Sequence, residues 1–91
     1  MNFRWHPAKA AVNLRQHGIT FQEAATALRD GLSTTFPDLP HSENELRYVT
    51  IGMSAERKLL VVAHVETDDG IRIISARRVT RRERRFYEEG E

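Results

Sequence analysis

The chain lacks cysteine altogether, so neither a disulfide nor a thiolate-bound zinc ion can hold it together. It also lacks a long apolar run. The longest one, 59–65, is interrupted by His64 and is far shorter than the roughly 20 residues that a membrane-spanning helix needs. The opening residues contain no apolar core of signal-peptide length. We therefore expect a cytoplasmic protein with no membrane partner.

Glycine is scarce, with 5 in 91 residues, and the chain has neither a glycine-rich phosphate loop nor a G-x-S-x-G nucleophile motif. The histidines at positions 6, 17, 41 and 64 do not have the spacing of metal ligands. We therefore expect no cofactor and no bound metal. A chain of this length can bury one modest core, which predicts a single domain, 1–91.

Arginine, by contrast, is abundant and unevenly placed. All of the 14 basic residues except Lys9 and Lys58 are arginines. The stretch 71–87 contains one acidic residue, Glu83, and seven arginines: Arg72, Arg77, Arg78, Arg81, Arg82, Arg84 and Arg85. Because the planar guanidinium group suits phosphate, this distribution favours a polyanionic partner. The alternatives are a solvated basic helix face and a docking surface for an acidic protein.

Capping residues and apolar patterns predict the element order β-α-α-β-β-β-β-α. Thr20 with Glu23, and Thr80 with Glu83, form two capping-box patterns, each of which opens a helix. The predicted helices are 7–17, 21–29 and 81–89, and the predicted strands are 2–5, 33–36, 46–53, 58–66 and 71–78. These elements predict an α+β fold, in which two N-terminal helices and one C-terminal helix pack on an antiparallel β-sheet meander.

Two hairpin loops predict which side chains share a face of the sheet. A two-residue turn at 69–70 would place His64 opposite Ser75, and a four-residue loop at 54–57 would place Arg47 opposite His64. The face formed in this way carries Arg47, His64, Ser75 and Arg77. A change of one residue in either loop would move its strand to the opposite face.

The chemistry of this set fits RNA cleavage without a metal, in which the 2′-OH of RNA attacks the adjacent phosphate. Arg77 and Arg47 would stabilise the charge on the phosphate, and His64 could move a proton. The alternative for His64 is a hydrogen-bonded residue of the core. Tyr87 could stack on a base or supply its OH to proton transfer, and the alternative is that it fixes the last helix to the sheet.

A polar stripe follows the first helix, where Lys9, Asn13 and His17 recur every four residues. Such a stripe is usually a solvated face, and it gains functional interest only where it borders a cleft.

The chain resembles the BrnT family over nearly its whole length. The opening pattern is Phe3-Arg4-Trp5 with Lys9, Asn13, His17-Gly18-Ile19-Thr20-Phe21 and Glu23-Ala24, the middle is Glu45 with Arg47 and Ile51-Gly52, and the closing pattern is 71–78 with Thr80, Glu83 and Tyr87-Glu88. The resemblance implies a RelE-like fold and a metal-independent endoribonuclease toxin that blocks translation. It also implies neutralisation by a BrnA-like antitoxin with a ribbon-helix-helix part, in a complex of two toxins and two antitoxins that contacts DNA only through the antitoxin.

The resulting hypothesis is a sequence-relaxed endoribonuclease. In it, Arg77 and Arg47 stabilise the phosphate, and His64 or Tyr87 transfers protons. The remaining RNA-binding candidates are Lys9, His17, Arg72 and Arg81. The rival hypothesis is a non-enzymatic nucleic-acid-binding module or a co-repressor subunit of the antitoxin complex.

Overall fold

A computed structural model describes residues 2–90 and confirms the predicted element order. The helices are α1 (Pro7–His17), α2 (Phe21–Leu28) and α3 (Arg81–Glu89), and the strands are β1 (Phe3–Trp5), β2 (Thr34–Pro37), β3 (Arg47–Met53), β4 (Leu59–Thr67) and β5 (Gly70–Arg78). The two ends of the predicted domain, positions 1 and 91, lie outside the described residues. No helix within 2–90 combines the length and the apolarity that crossing a bilayer requires.

The five strands form one sheet in the order β1-β5-β4-β3-β2. The strands from β2 to β5 pair antiparallel, but β1 pairs parallel with β5, with Phe3 opposite Ile71 and Trp5 opposite Ile73. The sheet is therefore mixed, and the prediction of a purely antiparallel meander was wrong. The reason is that α1 and α2 carry the chain from β1 to the far edge at β2, so the last strand returns beside the first.

The two predicted capping boxes differ in the structure. Thr80 and Glu83 form a complete box at the start of α3, in which each side chain accepts a backbone N–H of the other residue. Thr20 caps α2 by accepting the N–H of Glu23 at 3.1 Å. The Glu23 carboxylate does not return to Thr20, because it is buried and accepts the Ser54 hydroxyl at 2.7 Å instead. The reciprocal half of the first predicted box was therefore wrong.

The sheet buries a different cluster on each face. The face covered by α2, here called the α2 face, contributes Leu60, Val62, Ile73 and Ala76 to a core with Ile19, Phe21, Ala24 and Ala27. The opposite face, here called the α3 face, packs Ile51, Leu59 and Val61 against Phe86 and Tyr87 of α3. Phe86 thus belongs to the apolar packing of this face. Away from α3, Ala63 and Ser75 of this face are partly exposed, whereas Val65 is buried.

We expect Gly52→Ala to destabilise the protein by about 1–3 kcal/mol, because α2 crosses β3 at this glycine and overpacking a tight contact is costly. A Cβ added at Gly52 would lie 2.4 Å from the backbone oxygen of Ala27. Gly31→Ala is the matched control, since a Cβ there would meet nothing within 4 Å. Urea unfolding of both variants measures the difference, and equal midpoints would contradict the close approach.

Candidate functional site

The loop between β3 and β4 is one residue longer than predicted. The N–H of Ser54 donates to the carbonyl of Lys58 at 2.8 Å, and this bond closes the longer loop. Arg47 therefore lies opposite Val65. The predicted four-residue loop would have placed it opposite His64. An odd change in loop length turns the whole of β3 over relative to β4.

The hairpin between β4 and β5 also differs from the prediction. The turn falls one residue earlier, with Thr67 opposite Gly70, and this shift alone leaves every side chain on its predicted face. A β-bulge further along shifts the register by one residue, so that His64 lies opposite Ile73 while Ser75 lies opposite the residue before His64. Beyond the bulge, β5 is therefore turned over relative to the prediction.

The longer loop and the bulge have the same effect, because each turns its strand over relative to β4. Arg47, Ser75 and Arg77 all move to the α3 face, whereas His64 stays on the α2 face. The structure thus brings together three members of the predicted set and separates the fourth. The prediction that His64 shares a face with Arg47 and Arg77 was wrong.

Three rows of side chains cross the α3 face. The first holds Arg4, Arg72, Val65 and Arg47, the second holds Ser75, Ala63 and Val49, and the third holds Arg77, Val61 and Ile51. The first and third rows are four residues apart on β3, which is about 13 Å. Small side chains, Ser75 and Ala63, lie between them. We name the surface formed by the four arginines of the outer rows with Ser75 and Ala63 between them the arginine cleft.

The arginines of the first row differ in their ion pairs. Arg4 pairs with Asp69 at 3.1 Å, and Arg72 pairs with Glu45. Both pairs are exposed, so they stabilise the fold little, and their guanidinium groups can exchange a carboxylate for a phosphate at low cost. Within residues 2–90, no carboxylate oxygen lies within 4.0 Å of the Arg47 guanidinium.

Arg77, in the third row, is held by α3. Its two terminal nitrogens donate to the two oxygens of Glu83 at 2.8 and 2.9 Å. These hydrogen bonds raise the pKa of Arg77, and they lower the pKa of Glu83 to about 2 although partial burial opposes the shift. Both groups are therefore charged at neutral pH. Arg81, in the first turn of the same helix, is exposed.

A groove beside the arginine cleft runs along the junction of α1 and β5. Its larger part is a cavity of about 330 Å³, lined by Lys9 and His17 of α1 and by Ser75 of β5, among others. A neighbouring cavity of about 200 Å³ is lined by Lys9 and Arg72. The predicted polar stripe of α1 therefore borders the cleft, and this is the condition under which it gains functional interest.

Asn13, the middle residue of that stripe, is not solvated, because it is only 4% exposed. Its side-chain oxygen accepts the N–H of Ala76 at 3.0 Å, and its side-chain nitrogen donates to the carbonyls of Ala76 at 2.9 Å and Ile19 at 3.0 Å. The amide thus replaces a neighbouring strand at the edge of β5. No sequence pattern indicates this role, because the spacing of Asn13 matches that of exposed Lys9 and His17.

His64 is a core residue, only 2% exposed. Its Nε2 lies 2.8 Å from the Thr50 hydroxyl, and its ring stacks on Tyr48 with the centroids 6.0 Å apart. Burial lowers the pKa of His64, and the charge of Glu66 opposes the shift only in part. The alternative interpretation, a hydrogen-bonded core histidine, describes its environment, and a ring buried on the α2 face cannot reach a ligand in the arginine cleft.

The buried imidazole predicts a pH dependence of stability. Because the pKa of folded His64 lies below its unfolded value near 6.5, the unfolded chain binds the proton more tightly. The free energy of unfolding should therefore fall as the pH drops below about 6.5, by about 1.4 kcal/mol for each unit by which folding depresses the pKa. Urea unfolding between pH 8 and pH 5 measures this loss. His64→Gln, which has no titrating group, should lose less over the same range, and parallel pH curves would refute the assignment.

Tyr87 fixes α3 to the end of α2. Its OH donates to the Asp30 carboxylate at 2.5 Å, and this bond, reinforced by burial, raises the pKa of Tyr87 to about 12. Asp30 also accepts the N–H groups of Leu32 and Met53. Burial opposes ionisation of Asp30, but the hydrogen bonds from these three residues outweigh it and lower its pKa. The Tyr87 ring packs against the sheet, and its hydroxyl is engaged by Asp30. No sequence pattern marks Asp30 for this role.

The fold and the cleft define a small α+β protein with a basic, solvent-open sheet face. A family model described as the ribonuclease toxin, BrnT, of type II toxin–antitoxin systems matches residues 5–83, and the chain belongs to this family. The crystal structure of the ribonuclease toxin BrnT of Brucella abortus is similar, with a TM-score of 0.68 at 20% sequence identity. The similarity covers 89% of this chain and 99% of that chain, and it shows that the two share a fold. No curated protein matches the chain in sequence.

Proposed function

We propose that the chain is an endoribonuclease that cleaves RNA in the arginine cleft without a metal ion. The observation that carries the proposal is that Arg4, Arg72 and Arg47 lie in one row and Arg77 in another, with the small side chains of Ser75 and Ala63 between the two rows. Guanidinium groups on both sides of a phosphodiester suit it, because each can give parallel hydrogen bonds to its oxygens.

The cleavage step requires charge stabilisation on the phosphate. The 2′-oxygen gives up its proton and forms a bond to phosphorus while the bond from phosphorus to the 5′-oxygen breaks. The 5′-oxygen takes up a proton, which leaves a 2′,3′-cyclic phosphate and a 5′-hydroxyl. Arg47 and Arg72 approach the phosphate from one row and Arg77 from the other. Preorganised cations of this kind stabilise the charge that develops on the phosphate oxygens in the transition state. Glu83 holds the Arg77 guanidinium in place.

Proton transfer requires a group that reaches the cleft. His17 is exposed and lines the groove together with Ser75, so we assign it to proton transfer in place of His64 and Tyr87, which are engaged elsewhere. Lys9, from the same face of α1, and exposed Arg81 would bind the RNA backbone.

The family suggests the biological setting. We propose that RNA cleavage inhibits translation in the cytoplasm and that a BrnA-like ribbon-helix-helix antitoxin neutralises the protein in a complex of two toxins and two antitoxins. In this setting, DNA is contacted only through the antitoxin. Membership of a family of type II toxins supports an antitoxin partner and an RNA substrate.

End-group analysis of digested RNA tests the activity. Purified protein incubated with RNA in excess EDTA should produce 2′,3′-cyclic phosphate and 5′-hydroxyl ends. RNA methylated at every 2′-oxygen should remain intact, because the attacking hydroxyl is blocked. Binding without cleavage, both with EDTA and with added divalent metal, would instead identify a non-enzymatic nucleic-acid-binding or co-repressor subunit. Cleavage only after a divalent metal is added would refute the metal-free mechanism.

A further inference from the structure

The groove between α1 and β5 is larger and more apolar than a phosphate requires. Val12 and Ile74 contribute its apolar wall, and His6 and His17 lie at opposite ends of α1. At a rise of 1.5 Å per residue, the two residues are about 16 Å apart along the helix axis. The volume of about 330 Å³ lies at the small end of the range for ligand sites, so the groove admits a planar ring rather than a folded partner.

We propose that this groove binds bases of single-stranded RNA, with the rings of His6 and His17 as stacking surfaces at its two ends. The inference depends on the proposed function for the identity of the ligand as RNA. Unstacked bases in single-stranded RNA stack on aromatic side chains, histidine included, and their flat faces are apolar.

The charges beside the groove match the backbone of such a ligand. The smaller cavity of about 200 Å³ shares His6, Lys9 and Ile74 with the larger one and adds Arg72. A phosphate in the smaller cavity would contact Lys9 and Arg72 while its base lies in the larger one. Since Arg72 also belongs to the arginine cleft, a strand bound in the groove continues directly toward the cleavage site.

The edge of β5 argues against a protein strand as the occupant. A partner strand needs a row of free backbone groups, but β1 pairs with residues 71–73 and the Asn13 amide occupies Ala76. Little of this edge remains available.

The polar groups of the groove predict that it binds RNA with little preference for base sequence. The Asn13 amide is saturated by its backbone partners, so it has no donor left for a base. His6 is held in place because its Nδ1 accepts the N–H of Ala8 at 3.2 Å. The hydroxyl of Ser75 and the exposed amide of Gln16 are the groups left for base edges. Stacking with few edge contacts tolerates all four bases.

Filling the groove tests the proposal through binding alone. The probe is a single-stranded oligonucleotide that is 2′-O-methylated throughout, so that it cannot be cleaved. Val12→Trp should weaken its binding about 10-fold by occupying the space of a base. Leu14→Trp is the matched control, because Leu14 is an exposed residue of α1 that does not line the groove, and its affinity should stay within about 2-fold of wild type. An abasic chain of equal length should bind wild type and Val12→Trp equally.

Substitutions of His17 separate stacking from proton transfer. His17→Ala should weaken binding of the 2′-O-methyl probe about 10-fold, whereas His17→Phe, which keeps a ring, should bind within about 2-fold of wild type. If His17→Phe binds normally but the wild type does not cleave RNA, the proposed function fails while the base groove stands. Equal binding by wild type, Val12→Trp and His17→Ala would overturn the proposal. If Val12→Trp also changed the sedimentation coefficient, the groove would be a contact between copies of the chain.

Discussion

Alanine at position 47 should slow RNA cleavage by about 100-fold or more without weakening the fold. Arg47 lies in the first row of the arginine cleft, and within residues 2–90 no carboxylate oxygen lies within 4.0 Å of its guanidinium group. Its positive charge is therefore available to the phosphate, and loss of one preorganised donor typically costs this much in rate. Single-turnover cleavage of a short RNA measures the chemical step, and urea unfolding measures the stability.

Two further variants make the result specific. Arg15→Ala removes the same charge from an exposed site at the end of α1, and its cleavage rate should stay within about 2-fold of wild type. Arg47→Lys keeps the charge but loses the planar fork, so it should recover only part of the rate. If Arg47→Ala cleaves as fast as Arg15→Ala, Arg47 has no part in the mechanism. Arg77→Ala is a less direct test, because it also leaves Glu83 without its partner and weakens the start of α3.

Local signals predicted the elements well because each depends on a few adjacent residues. Gly18 ends α1 in the left-handed conformation, with φ 69°, and Thr20 and Thr80 cap the helices that follow them. These residues act through their own backbone geometry and their own hydrogen bonds, so the residue type at one position is enough to predict where a helix begins or ends. The element order and the bounds of α1 and α3 could therefore be predicted.

The register of the sheet could not be predicted, because it depends on two places where one residue changes the outcome. The loop that starts at Ser54 is longer than its composition suggests, and the bulge at 63–64 has no glycine or proline to mark it. Each of them turns a strand over relative to β4. Because β3 and the end of β5 are both turned over relative to β4, Arg47 and Arg77 still share a face. His64 belongs to β4 and therefore lies on the other face.

Contacts between distant parts of the chain were missed for a different reason. β1 pairs with β5 across almost the whole length of the sequence, and no local pattern indicates a parallel partner. Arg4 enters the first row of the arginine cleft only through this pairing, so it could not be predicted as a site residue. The burial of Asn13 likewise depends on where α1 settles on the edge of β5.

Asn13→Ala should destabilise the protein by about 3 kcal/mol or more. Truncation leaves the N–H and carbonyl of Ala76 and the carbonyl of Ile19 without their partner, and each buried unpaired group costs about 1–3 kcal/mol. The loss is a large share of the 5–15 kcal/mol that a typical domain has. Urea unfolding measures it, and amide hydrogen exchange at Ala76 should become faster. Gln16→Ala, exposed on the same helix, should change stability by less than about 0.5 kcal/mol.

The same substitution links the fold to the proposed site. Asn13 is the buried residue of α1, so its amide is the main anchor that seats this helix against β5. Lys9 and His17 lie one turn away on either side and take their positions beside the groove from that anchor. At temperatures where Asn13→Ala is still folded, it should therefore bind the 2′-O-methyl probe more weakly than the wild type does. If Asn13→Ala is as stable as Gln16→Ala and its Ala76 amide is still protected from exchange, other contacts hold α1 in place.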